Sequence, residues 1–323
     1  MLVPVLLFLL GLIFLIRGGG WFVDGATGIA HRFHVPELLI GATVVSIGTT
    51  LPEVMVSASS AVMGHGEIAY GNAVGSIICN TSLIAALTIA VRPAPVTRRA
   101  LKIPVLFFFI AAVFYSCAAI TTQHFSRLSG VVLLVIFLSY MALTVRQALA
   151  DGKTQVPVPI EENLPEAPLR RYILLLIVGA ALIAVGADLL VDNGTKIAQA
   201  LGVPESVIAL TFVALGTSLP ELVTAITSLV KGHGALSLGN IIGANLFNLV
   251  LVSGLSTVLA PFSIPAGKQF MGYNASIAVD IPVMFTVMLI MTVPALLRGK
   301  LYRWQGILLL CIYASFCVFQ FVF

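Results

Sequence analysis

Ten mostly apolar stretches follow one another along the chain, at about 2–24, 36–63, 68–91, 103–122, 128–149, 171–191, 204–230, 236–259, 274–297 and 303–322. Each approaches or exceeds the roughly 20 residues that a helix needs to cross a bilayer core about 30 Å thick. Short polar connections separate them, with one exception. Residues 151–170, with Pro157, Pro159, Pro165 and Pro168, predict an irregular linker between two halves of five spans each. Met1 to Ile16 lacks a positive n-region, and a glycine run with Trp21 follows it instead of a cleavage site, so it reads as the first span.

Composition supports this picture. Of 323 residues, 59% are apolar and 9% are charged, against about 25% charged in a soluble domain. Such a chain has too few polar residues to face water or to stay disordered. Its net charge of +4 is thinly spread, with no basic block for nucleic acid. Cys79, Cys117, Cys311 and Cys317 lie in apolar runs without metal-ligand spacing and read as packed free thiols.

Lys and Arg side chains predict the orientation. With the N-terminus outside, the inner connections hold 13 of them and the outer ones hold three, Arg127, Lys196 and Lys268. Both termini are then outside and the linker is cytoplasmic.

The two halves also match each other at an offset of 168 residues. Residues 41–80 and 209–248 are identical at 16 of 40 positions without a gap. Upstream, Val23-Asp24 faces Val191-Asp192. Because each half has an odd number of spans, the second copy enters the membrane from the opposite side. The expected fold is an all-α integral membrane protein. Its ten transmembrane helices form two inverted five-helix repeats, 1–150 and 171–323, around the linker 151–170. Inverted repeats are a transporter architecture with substrate sites near the midplane.

Each repeat buries one acid in an apolar span: Glu53 in SIGTTLPEVMV and Glu221 in ALGTSLPELVT. A charged side chain at the bilayer centre costs about 2.5–3.5 kcal/mol on insertion scales, so it normally faces a cavity or a cation. No Lys or Arg lies mid-span to pair with either acid. Thr49 and Thr50 share a helical face with Glu53, as Thr217 and Ser218 do with Glu221. Ser57, Ser60, Thr224 and Ser228 continue those stripes; Ser60 and Ser228 read as hydroxyls bonded to the preceding turn. Pro52 and Pro220 remove helical donors from the Gly48 and Gly216 carbonyls, predicting helix breaks with free carbonyls near the acids. Carboxylates, hydroxyls and carbonyls are the hard oxygen ligands that Ca²⁺ and Na⁺ prefer.

The following span places Asn72, Ser76 and Asn80 on one stripe, and its copy has Asn240, Ala244 and Asn248. Asn80 and Asn248 fit either ligation or interhelical hydrogen bonding; Asn72 and Asn240 read as interhelical partners. Gly71, Gly75, Gly239 and Gly243 permit close helix approach. Gly64-His65-Gly66 and Gly232-His233-Gly234 read as turns, Asp280 as interfacial, and the role of Asp188 is open.

These segments resemble the calcium/cation antiporter superfamily, and within it the sodium/calcium exchanger type with its two α-repeats. Gly48 to Glu53 with Gly71-Asn72 to Asn80 carry the first, and Gly216 to Glu221 with Gly239-Asn240 to Asn248 the second. The resemblance implies four clustered cation sites. Ligands would come from Glu53, Glu221, Thr49, Thr50, Thr217, Ser218, Ser76, Asn80 and Asn248, and from the backbone carbonyls of Ser46 and Ala214. Ala244 and Asn248 depart from some members, which carry serine and aspartate there. With two carboxylates, one Ca²⁺ or two Na⁺ neutralise the site, whereas three Na⁺ leave a net charge. The Gly-Thr-Thr and Gly-Thr-Ser sequences resemble the sodium-coupled branch more than the proton-coupled one.

The expected function is alternating-access antiport of Ca²⁺ against Na⁺, with no cofactor, in a prokaryotic plasma membrane. Ca²⁺/H⁺ antiport and K⁺-dependent exchange are the alternatives, and oligomeric state is not legible. No zinc-protease motif, GxSxG or paired span aspartates point to an enzyme.

Overall fold

The computed structural model describes residues 2–93, 96–154, 167–201 and 216–322, nearly all of them helical. Helices α1 (Leu2–Arg32), α2 (Glu37–Ile40), α3 (Ser46–Val62), α4 (Gly66–Cys79), α5 (Ala86–Val91), α6 (Arg98–Thr122) and α7 (Arg127–Thr154) precede the linker. After it come α8 (Leu169–Ala200), α9 (Leu219–Val230), α10 (Gly234–Phe247), α11 (Ser253–Leu259), α12 (Ile281–Arg298) and α13 (Arg303–Val322). Turns of π-helix join α2 to α3 (Gly41–Val45), α4 to α5 (Asn80–Ala85) and α10 to α11 (Asn248–Val252), and another (Ser276–Asp280) opens onto α12. Among the described residues, nine helical segments are long and apolar enough to span a membrane, counting each π-joined pair as one. The shorter α9 has 12 residues; residues 202–215, where the rest of the seventh span is expected, lie outside the described residues.

The polarity of the fold is inverted relative to a water-soluble protein. Leu6, Ile13, Leu106, Val113, Leu138 and Ile177 face outward, whereas Glu53, Glu221, Asn80, Asn240 and Asn248 are buried. Hydrocarbon does not penalise exposed apolar side chains, so polar side chains gather where other protein groups surround them.

Helices α1 and α8 run antiparallel in close contact. A Cβ at Gly11 would meet the Gly186 carbonyl oxygen at 2.9 Å, and a Cβ at Gly18 the Gly179 carbonyl oxygen at 2.9 Å. Gly11, Gly18 and Gly25 recur every seventh residue, so their backbones lie along one contact seam. Lipid supplies no hydrophobic drive between helices, and close backbone packing replaces it. This pair forms an apolar cluster with Ile40, Val45 and Leu236. The other helices share a larger cluster around Phe108, Tyr115, Phe125 and Phe247.

Several boundaries differ from the sequence expectation. The first helix continues to Arg32 instead of ending near residue 24, and the sixth continues to Ala200 instead of ending near 191. Gly28, in this extension, is a packing position: a Cβ there would strike the Tyr172 ring. At 1.5 Å per residue a 31-residue helix is about 46 Å long, so α1 must tilt or project beyond the hydrocarbon. Asp188 lies within α8 on its exposed surface. Helix α7 extends to Thr154 and α8 begins at Leu169, so both ends of the linker are helical; residues 155–166 lie outside the described residues. Only Cys79 is a buried thiol, while Cys117 and Cys311 are exposed, which the apolar runs around them did not reveal. Asp280 closes the π turn before α12 and accepts a hydrogen bond from the Gln320 amide at 2.9 Å.

The two Gly-His-Gly segments fold alike. Gly64 has φ +85° and Gly232 φ +86°, a region glycine enters without steric cost. His65 N–H donates to the Ser60 carbonyl at 2.8 Å, and His233 N–H to that of Ser228 at 2.7 Å.

The α1–α8 seam generates a test. A Cβ at Gly179 would lie 2.5 Å from the Phe22 backbone nitrogen, whereas one at Gly20 meets only the flexible tip of Lys231 at 3.7 Å. Gly179→Ala is expected to destabilise the protein by about 1–3 kcal/mol, the usual range for overpacking, and Gly20→Ala by much less. Thermal melts of the detergent-solubilised variants check the difference.

Candidate cation-binding site

Glu53 sits mid-way along α3 and Glu221 in the first turn of α9. The helix break expected at Pro52 does not occur, since α3 runs through the proline without interruption from Ser46 to Val62. Proline removes one donor, and the surrounding helical bonds and packing hold the rest. In the second half Gly216 to Ser218 do form a non-helical turn, with Pro220 at the start of α9. The Gly216 carbonyl is not free there, because it accepts the Leu219 N–H at 3.3 Å.

Two π turns pack against the acid-bearing helices. One begins at Asn80 and the other at Asn248, which are copies of each other in the repeat. A π turn interrupts the regular helical ladder and is frequent at functional sites.

The two acid-bearing helices, α3 and α9, contact each other across the two halves. Glu221 acts electrostatically on Glu53, and Thr49 lies beside the Glu221 carboxylate. Cys79, next to Asn80, is near both Ser218 and Glu221. Glu53 and Glu221 are both 0% exposed. Among the described residues, neither oxygen of either carboxylate has a hydrogen-bond partner. The same holds for both polar atoms of the Asn80 and Asn248 amides and for the Thr50 hydroxyl. Leaving so many buried polar atoms unpaired is costly, and each demands an explanation. They are rich in lone pairs and hold no basic group, which is the donor set of a hard cation. Among the described residues no three His, Cys, Asp or Glu side chains cluster to hold a metal. Two acids therefore need neutral oxygens to complete a coordination shell.

The other expected ligands divide. Ser76 and Ser218 are buried and Thr217 is half-buried. Ser46 donates its hydroxyl to the Gly41 carbonyl at 2.7 Å and lies 2.9 Å from the Asn240 carbonyl. That bonding does not involve the Ser46 carbonyl, the atom implicated by the resemblance. Ala214 lies outside the described residues. Among the described residues the Thr224 and Ser228 hydroxyls have no partner, so the bond to the preceding turn expected for Ser228 is absent.

Asn72 and Asn240 make the interhelical bonds expected of them. Thr217 donates to the Asn72 side-chain oxygen at 3.3 Å, and Thr49 donates to that of Asn240 at 3.1 Å. Gly239 and Gly243 pack against the Leu38 and Ala42 backbones. Nothing among the described residues lies within 4 Å of a Cβ at Gly71 or Gly75; the residues that match Leu38 and Ala42, 206 and 210, are outside them. Sequence reasoning missed Asn245, which donates to the Thr81 hydroxyl at 2.7 Å inside the bundle. The matching position is Ile77, so the repeat gave no signal for it.

Known proteins share this arrangement. The family model described as sodium/calcium exchanger protein matches residues 3–146 and 171–322. The chain belongs to the sodium/calcium exchanger family. An uncharacterized membrane protein of Methanocaldococcus jannaschii is 38% identical over 95% of this chain and 94% of its own length. The sodium/calcium exchanger MaX1 of Methanosarcina acetivorans is 30% identical over 99% of each chain. The solved structure of the sodium-calcium exchanger NCX_Mj superposes with a TM-score of 0.82 at 33% identity, covering 99% of each chain. Family members are membrane transporters rather than enzymes.

The unpaired carboxylates of this exchanger predict a stability signature. Glu221→Gln replaces a buried, unpaired charge with a neutral isostere, so the ion-free variant is expected to melt at or above the wild-type temperature. Ca²⁺ at 100 times its dissociation constant stabilises a one-site protein by about 2.7 kcal/mol. That Ca²⁺-dependent rise in melting temperature is expected in the wild type and absent in Glu221→Gln.

Proposed function

We propose that this exchanger moves Ca²⁺ against Na⁺ by letting the two cations compete for the oxygens between Glu53 and Glu221. The observation that carries the reading is the pair of fully buried carboxylates without hydrogen-bond partners among the described residues. Ca²⁺ takes about 6–8 oxygen ligands, and the two acids offer at most four. The shell is completed from the Thr49, Thr50, Thr217, Ser218 and Ser76 hydroxyls, the Asn80 and Asn248 amide oxygens, and the carbonyls of Ser46 and Ala214. Water fills any position left open.

The ten-helix, two-repeat reading fits this mechanism. The 168-residue offset, the matching Gly64 and Gly232 turns and the matching π turns at Asn80 and Asn248 support an inverted duplication of 1–150 as 171–323. The excess of inner Lys and Arg supports external termini and a cytoplasmic linker. A prokaryotic plasma membrane fits the archaeal origin of the relatives named above.

Exchange follows from electrostatics. With one Ca²⁺ or two Na⁺ bound, the two carboxylates are neutralised and the site can pass between the two sides. An empty site carries two negative charges through a low-dielectric region, which is costly. The protein therefore changes conformation mainly when loaded, which couples one ion to the other.

Uptake of ⁴⁵Ca²⁺ into Na⁺-loaded proteoliposomes diluted into Na⁺-free buffer tests the proposal. Uptake is expected to require internal Na⁺ and to fall to background in Glu53→Gln and Glu221→Gln. A parallel arm with only a pH gradient is expected to give none. Uptake driven by the pH gradient alone would overturn Na⁺ coupling in favour of proton antiport. Clamping the potential with valinomycin and K⁺ reads the charge moved per cycle.

A further inference from the structure

Two asparagines that ligate nothing in the reading above touch the proposed ligands from behind. Each stands on the span that follows one acid, and each bonds a threonine from the other half of the chain. Asn72 of α4 accepts from Thr217, and Asn240 of α10 accepts from Thr49. The two bonds are copies: 72 and 240 differ by 168, as do 49 and 217.

The chemistry of Asn72 leaves one way to assign its amide. Its side-chain nitrogen lies 3.3 Å from the Glu53 backbone carbonyl and 2.8 Å from the Ser57 hydroxyl oxygen. A carbonyl only accepts, so the nitrogen must face it and the amide oxygen must face Thr217. Thr217 is then the donor. A hydroxyl has one proton and two lone pairs. With its proton held by Asn72, Thr217 presents lone pairs alone in its remaining directions. At Asn240 the amide oxygen takes the Thr49 proton and lies 3.3 Å from the Ser46 hydroxyl.

The supports differ between the halves. Ser57, which accepts from Asn72, is matched by Ala225; Ser46, beside Asn240, is matched by Ala214. Among the described residues the Asn240 side-chain nitrogen has no partner. Asn72 is thus anchored through its nitrogen, and the oxygen side of Asn240 has a second hydroxyl neighbour. Both serines come from α3.

We infer that Asn72 and Asn240 are positioning residues for ion exchange: each holds the proton of a threonine from the opposite half, so that the Thr217 and Thr49 oxygens face the transported cation as acceptors only. The bond from the Asn72 nitrogen to the Glu53 carbonyl fixes the orientation in which the amide oxygen faces Thr217. The inference rests on the proposed cation site.

A double-variant cycle in the proteoliposome assay tests it, reading the half-saturating Ca²⁺ concentration and the maximal rate. Losing one such bond is expected to raise half-saturation by about fivefold, the equivalent of a typical net hydrogen bond. Asn72→Ala and Thr217→Val should each show this, with a smaller change in maximal rate. The combined variant should be no worse than Thr217→Val within about twofold, because Asn72 acts through that hydroxyl. Thr217→Ser, which keeps the proton and the oxygen, should stay near wild type. Multiplicative effects in the combined variant, or Asn72→Ala leaving half-saturation unchanged, would overturn the inference. If Asn72→Ala does not fold, the Asn240→Ala and Thr49→Val cycle gives the same reading. A wild type without Na⁺-dependent uptake would instead defeat the proposed function.

Discussion

The rest of the structure is arranged around two carboxylates that must stay ionisable inside a hydrocarbon-embedded bundle. Glu53 and Glu221 are wholly buried, and their oxygens have no donors among the described residues. In a soluble enzyme such groups would be paired with Arg or Lys. A transporter that pairs them permanently would have nothing left to bind a cation. Among the described residues the polar groups buried with the acids are neutral, and the Lys231–Asp24 ion pair at 2.6 Å joins partly exposed side chains. In the proposed mechanism a bound ion would offset the cost of the unpaired charges, which would tie stability to transport.

Helical membrane proteins can depart from regular backbone only where protein surrounds it. This chain uses that freedom in small amounts. Its π turns at Asn80 and Asn248 displace one residue each from the helical ladder, and the turn from Gly216 to Ser218 is short. The glycine seam between α1 and α8 has another effect. Backbone contact makes the pair a close unit, and its apolar cluster also takes in Ile40, Val45 and Leu236 from neighbouring elements.

The duplication explains why so much of the site could be read without coordinates. Identical polar residues at a fixed offset inside apolar spans have few other causes. Glu53 with Glu221, Thr49 with Thr217, and Asn80 with Asn248 were all legible in this way. Where the halves diverge, legibility fell. Asn245 faces Thr81, yet its counterpart is Ile77, so nothing marked it. The expectation of a helix break at Pro52 failed for a related reason. The two Pro-Glu pairs are the same in sequence, but one is inside a continuous helix and the other at a helix start. Local sequence gives the missing donor, and the neighbouring packing decides whether the helix tolerates it.

The sequence alone determined the membrane class, the approximate spans, the repeat and the two acids. These follow from composition and periodicity, which act locally and sum along the chain. Tertiary structure decided that α1 and α8 run far past their apolar centres, with Gly25 and Gly28 of α1 packed against Leu176 and Tyr172 of α8. It decided that Asn72 reaches Thr217 and Asn240 reaches Thr49, contacts that depend on how the two halves pack together. It also decided which buried oxygens find a proton donor and which do not. Partnering is a property of three-dimensional neighbours, and no local pattern along the chain encodes it.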